Sequence, residues 1–126
     1  MKQQIVYNLE EFAAKYHLTD IYGAYAAHFA INGEENNCVS SEELAEMVKE
    51  RTLFTKLLLL KQGKCLLHFN SNKDETLEVK TGEFLIASPK EIVELKEVSP
   101  DFEAECILVD EHFTDQINYY HDLQDS

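Results

Sequence analysis

The side chains able to do chemistry in this 126-residue chain are five histidines, three cysteines and a large surplus of carboxylates. His17, His28, His68, His112 and His121 stand apart, and none pairs with another at a spacing that sets two imidazoles on one ion. A protein metal site needs about three imidazole, thiolate or carboxylate ligands converging on one point. Cys38, Cys65 and Cys106 contain no CxxC pair, which argues against a zinc ribbon or finger. Cys65 and Cys106 sit inside apolar runs, and a thiol becomes a nucleophile only with a base nearby and a lowered pKa. They read as buried, inert thiols of a reducing compartment. The acidic stretches 34–35, 42–46 and 91–97 read as solvated faces rather than paired acid and base carboxylates. The residues predict no catalytic set, no metal and no cofactor.

The elements that must position these residues are organised around Leu53–Phe69, which holds two apolar runs broken by Lys61-Gln62-Gly63-Lys64. Two runs of strand length separated by a short segment with glycine predict a β-hairpin. Leu57–Leu60 shows no alternation, so both faces of that strand are expected to meet protein. Leucine is also a good helix former, but the run is short and Gly63 ends it early.

Upstream, Asn8-Leu9-Glu10-Glu11 has the form of a capping box and predicts a short amphipathic helix over Asn8–His17. Ile21–Ile31 is read as strand, its aromatics and the Asn32-Gly33 turn outweighing four alanines that favour helix. Tyr22, Ala24, Ala26, His28 and Ala30 would share one face. Glu34–Asn37 reads as a loop, and Ser40–Glu43 is a second capping box opening a helix that runs to Arg51. After a polar turn at Asn70–Asp74, short strands follow at Thr76–Lys80, Phe84–Ala87, Ile92–Val98 and Phe102–Leu108, separated by turn residues. Such spacing predicts a mainly β chain, an antiparallel sandwich or small barrel with short flanking helices. From Glu111 or Thr114 the pattern turns polar and helical, with Phe113, Ile117 and Tyr120 at helical spacing.

The length suits one domain with a real core. Acidic residues outnumber basic ones 24 to 11, a formal charge of −13, which repels phosphate backbones and anionic membranes. The opening MKQQIVYNLEEF lacks the long apolar segment of a secretory leader and no window reaches 18 apolar residues, so a cytoplasmic protein is expected.

The order Lys61-Gln62-Gly63-Lys64, Leu77–Lys80, Gly82-Glu83-Phe84-Leu85-Ile86-Ala87-Ser88-Pro89 and Ile92–Leu95 resembles a cupin-type β-barrel. More narrowly, it resembles the N-terminal sensing and dimerisation domain of AraC-type transcription regulators. Val98–Ala104 matches that family's next turn and strand, and Glu111-His112-Phe113 resembles the start of its C-terminal helical segment. The resemblance covers Leu53–Phe113. The helix-turn-helix pair of such regulators is absent from these 126 residues, so the chain is expected to be one sensor domain, 1–126, of a longer regulator that would meet DNA only through the absent half.

The metal-using cupins carry two histidines separated by one residue after the first glycine, then a glutamate and a later histidine. Here Gly63 is followed by His68 with Asn70 two residues on, Glu75 precedes Gly82, and no histidine stands near Pro89. The ligand set is incomplete. What the resemblance implies instead is a small effector in the barrel, bound by Tyr22, Tyr25, His28, Lys56, Cys65 and Phe69, unless the leucine cluster fills that space as core. It also implies a homodimer using Phe113, Ile117 and Tyr120. The other reading is a standalone cupin-type sugar-binding protein or isomerase, which would need a His–Asp or His–Tyr pair aimed into the barrel.

Overall fold

The computed structural model describes residues 5–33, 38–70 and 75–112. In chain order the elements are β1 (Val6–Tyr7), α1 (Leu9–Lys15), β2 (Asp20–Tyr22), β3 (Ala26–Ile31), β4 (Cys38–Val39), α2 (Ser41–Lys49) and β5 (Arg51–Thr52). The strands β6 (Phe54–Gln62), β7 (Lys64–Phe69), β8 (Glu75–Lys80), β9 (Phe84–Ala87), β10 (Val93–Val98) and β11 (Glu103–Asp110) follow. The expected helix stripe at Phe113, Ile117 and Tyr120, the loop 34–37 and most of the turn at 70–74 lie outside the described residues.

Both helices start where local chemistry predicts. Asn8 Oδ1 accepts from the Glu11 amide at 2.8 Å, and Glu11 Oε1 accepts from the Asn8 amide at 3.1 Å. Ser40 and Glu43 form the same reciprocal pair at 3.1 and 3.4 Å. Each box satisfies two amide donors that the first turn leaves without a carbonyl. Ser40→Ala should therefore cost about 1 kcal/mol and lower the melting temperature by roughly 3–5 °C. An unchanged melting temperature would mean that tertiary packing alone sets this helix start.

The strands form two main sheets. The large one runs β2-β3-β11-β6-β9, with β4 beside β3, and the small one runs β10-β7-β8. All the pairings along those two orders are antiparallel. Inward residues alternate along each strand: Ala27, Phe29 and Ile31 on β3, Phe54, Leu58 and Leu60 on β6, Ala104, Cys106 and Leu108 on β11. From the small sheet come Cys65, Leu67, Phe69, Val79 and Val93, and together they make one core. The chain is thus mainly β, a two-sheet antiparallel sandwich with short helices, as expected. The α1 helix closes one end, with Phe12 edge-on to Phe54 at 5.1 Å between ring centroids. Each large side chain buried in this way contributes roughly 1.5–3 kcal/mol.

The single strand expected over Ile21–Ile31 is instead two, β2 and β3, turned back on each other at Gly23 and paired antiparallel, and two further expectations are corrected. First, β6 and β7 do not pair with each other: β6 lies between β11 and β9, and β7 between β10 and β8. Gly63, at φ +82°, is a corner where the chain leaves one sheet for the other. A positive-φ glycine serves a corner as well as a hairpin, and periodicity names no pairing partner. Second, Leu57–Leu60 is covered on one face alone. Leu58 and Leu60 point into the core, whereas Leu57 is half-buried and Leu59 is 38% exposed on the outer face of the large sheet.

Candidate functional site

The residues expected to share one pocket are divided by the sheet. Lys56, Cys65 and Phe69 face the interior. Lys56 is 5% exposed, and its ammonium donates to the Glu50 carbonyl at 2.8 Å and lies 3.5 Å from the Val48 carbonyl, both at the C-terminal end of α2. A cation suits that position, where the helix leaves carbonyls without amide partners. Burial pulls its pKa down to about 8. Burial pushes the Cys65 thiol up to about 11 and that of Cys106 up to about 12, the Lys56 charge opposing the latter rise. Thiols so shifted stay protonated near neutrality and are poor nucleophiles. The interior around these groups is the apolar core itself, and Lys56 is a tie between α2 and the large sheet.

Tyr22 and His28 lie on the opposite, outer face, a correction to their expected place in the interior. His28 pairs with Ile107 of β11 and with Asp20 of β2 in register. Its Nδ1 donates to Asp20 Oδ2 at 3.0 Å, and Nε2 stands 3.5 Å from Glu105 Oε1. The phenol of Tyr22 is hydrogen-bonded to Asp20, which raises its pKa. This is a His–Asp pair of the kind an acid/base catalyst uses, but it opens to solvent rather than into the sandwich. Among the described residues, no group of three or more His, Cys, Asp or Glu side chains is placed to hold a metal ion. His68, the histidine nearest the cupin ligand pattern, bonds Thr76 Oγ1 at 2.9 Å, and Glu75 opens β8 opposite Phe69.

Tyr25 is separate from both groups. It ends the β2–β3 turn, whose Gly23 takes φ +58°, and its carbonyl accepts from the Asp110 amide at 2.8 Å. That bond fastens the turn to the last residue of β11. Between them and the start of α1 is a cleft of about 500 Å³, lined by Asn8, Leu9, Glu10, Ala24, Tyr25, Leu53 and Asp110 with Glu111 and His112. Asp110 Oδ1 accepts from the His112 amide at 2.9 Å, where the chain passes from β11 into helical residues. The cleft offers one phenol, one imidazole and three carboxylates around an apolar floor of Leu9 and Leu53. Such a lining suits a small ligand rich in O–H or N–H donors, a polyol or an amine. A second cleft, of about 320 Å³, lies against the small sheet between Lys64, Leu66, Glu78 and Glu97.

Sequence reasoning missed Asp20 and Glu105 as partners of His28, and Glu10, Asp110 and His112 as neighbours of Tyr25. No local signal marks them, because each meets its partner through a strand register or a turn set by distant packing. The helix start at Asn8 was the single local cue that Glu10 would stand near a chain end.

No family model matches the chain, and no curated protein matches it. Among solved structures it is similar to a cupin protein from Bacteroides fragilis, at 14% identity and TM-score 0.41, over 68% of this chain and 63% of that one. The match takes in less than two thirds of the Bacteroides protein's length. It is also similar to a protein from Photorhabdus luminescens, at 15% identity and TM-score 0.42, over 85% of this chain and 90% of that one.

Proposed function

We propose that this chain is a cupin-type effector-binding module, the sensing half of an AraC-type regulator, and that it performs no catalysis of its own. The observation that supports this reading best is the cleft at the exit of β11. Its wall is shared by α1, the β2–β3 turn and Asp110–His112, the residues that lead into the C-terminal segment. A ligand held there touches the chain at the point where a signal would have to leave the domain. Its differential affinity for two arrangements of that segment would shift their populations, which is all that sensing requires. The Asp20–His28 pair gives the isomerase alternative its chemistry but no enclosed substrate space.

The test is a titration of isotope-labelled protein with monosaccharides and, separately, with small diamines, read by amide chemical shifts. Shifts centred on Tyr25, Glu111 and His112, with affinity reduced at least about tenfold by Tyr25→Ala, are expected; that loss equals about 1.4 kcal/mol of binding free energy. Shifts centred on Lys64 and Glu97, or none with either class, would reject the cleft as the effector site.

A further inference from the structure

The outer face of the small sheet sets four charged side chains in an order that ordinary surface patterning avoids. In register, Lys64 of β7 stands directly opposite Lys80 of β8, and Leu66 stands between Glu78 of β8 and Glu97 of β10. The four charged residues are exposed, whereas Leu66 is half-buried. Like charges directly opposite each other destabilise a sheet, and this chain has only 11 lysines and arginines to place. Diagonal neighbours such as Lys64 and Glu78 lie within reach of long side chains. Yet among the described residues none of the four charged groups makes a side-chain hydrogen bond or an ion pair.

A β-bulge in β10 creates this order. The register shifts between Leu95 and Glu97, so Lys96 has no partner on β7. Strict alternation would carry Lys96 to the position opposite Leu66 and turn Glu97 inward. The extra residue sets Glu97 opposite Leu66 instead, and Lys96 pairs with Glu94 at 2.9 Å. Bulges often re-aim a side chain beside a site. Two clefts meet over the same residues. One, of about 320 Å³, is lined by Leu66, Glu78, Glu97, Val98 and Pro100, and the other, of about 370 Å³, by Gly63, Lys80, Thr81 and Asp101. Lys64 and Ser99 line both. The Asp101 carboxylate is already engaged by Ser99 and Gln62. The lysine row and the glutamate row are two residues apart along the strands, about 7 Å.

We propose that this groove binds a free amino acid with an apolar side chain. The ammonium groups of Lys64 and Lys80 receive its carboxylate, Glu78 and Glu97 receive its ammonium, and its side chain lies on Leu66, Val98 and Pro100. A carboxylate between the lysines relieves their mutual repulsion, and an ammonium between the glutamates does the same there. A simple anion in the groove would also meet the glutamates, and a simple cation the lysines. The arrangement therefore discriminates in favour of a molecule carrying both charges. The groove belongs to the small sheet, whereas Tyr25 and Asp110 belong to the large one, so this inference stands apart from the effector reading.

Amide chemical shifts of the isotope-labelled full chain, titrated with L-leucine, test it. Shifts centred on Lys64, Leu66 and Glu97 are expected, and raised salt should loosen the complex by screening both charge contacts. 4-Methylpentanoate, which lacks the ammonium, and 3-methylbutylamine, which lacks the carboxylate, should each bind about three- to tenfold more weakly than L-leucine. Lys80→Met and, independently, Glu97→Gln should weaken L-leucine by a similar factor, with circular dichroism unchanged because both side chains are exposed. A dissociation constant for L-leucine above roughly 10 mM, or 4-methylpentanoate bound as tightly as L-leucine, overturns the proposal. So do L-leucine shifts centred on Tyr25 and His112, which would place the amino acid in the other cleft.

Discussion

Gly63→Ala is expected to destabilise the protein by roughly 3–5 kcal/mol, more than the same change at Gly23 or Gly82. Two effects combine. At φ +82° an L-residue is strained by about 1–2 kcal/mol, because its Cβ crowds the following carbonyl. The added Cβ would also lie 2.3 Å from Ser99 Oγ, 2.8 Å from Asp101 Oδ1 and 3.0 Å from Phe102 Cα. The exposed Asp101 carboxylate can swing away, but the other two cannot easily yield. Ser99 Oγ accepts from the Lys64 amide at 2.9 Å and the Ser99 amide bonds the Lys64 carbonyl at 2.9 Å, while Phe102 is buried in the core. Displacing them pulls on both sheets at once, since this corner joins β6 to β7. Gly82 separates the two effects: it has φ +85° but open space where a Cβ would stand. Gly82→Ala should therefore show the backbone strain alone. Urea unfolding of both variants decides the matter, and a loss at Gly63 no greater than that at Gly82 would show that the corner relaxes freely.

That corner also marks the limit of what local pattern can say. Gly63 is legible as a place needing positive φ, but the choice between hairpin and corner belongs to β11 and β10, strands some 30 to 50 residues downstream that claim β6 and β7 respectively. The capping boxes at Asn8 and Ser40 were legible because both partners lie within four residues. So were β8, β9, β10 and β11, whose bounds follow turn residues and alternation. The candidate site was less so. Alternation alone lets His28 read as interior, and nothing local shows that Ile107, its partner on β11, faces out. Leu57–Leu60 misled in an informative way. Its missing alternation is real, but Leu57 and Leu59 face outward and are only partly covered, and periodicity cannot distinguish a buried face from an exposed apolar one.

Lys56 makes the second large prediction, a stability that rises with pH where acidic proteins of this kind would be expected to hold level. Its folded pKa is about 8 against 10.5 for the free side chain, lowered chiefly by burial. Between those values the unfolded chain binds one more proton at this residue than the folded one. The Lys56 contribution to stability therefore increases with pH there, by about 1.4 kcal/mol per unit and on the order of 3 kcal/mol over the window. Below pH 8 the whole cost of burying the ammonium is present. Cys65 and Cys106 act in the opposite sense: their folded values of about 11 and 12 lie above the ordinary 9.0, so their contribution is complete below pH 9 and is lost as pH climbs through those folded values. One gain set against two losses places the stability maximum near pH 9, with a decline beyond it. Lys56→Met keeps the side-chain volume and removes the titration, at the expense of the bond to the Glu50 carbonyl. Denaturant unfolding of the two proteins between pH 7 and 10 should show wild type gaining on Lys56→Met by roughly 1.4 kcal/mol per unit once pH passes 8. Parallel curves would mean that the ammonium is hydrated in the folded state, and with it that water reaches the interior of the sandwich. The same measurement thus bears on where an effector can sit: a dry Lys56 leaves the cleft at Tyr25 and Asp110 as the better-placed site, because a packed core has no room for a ligand beside it.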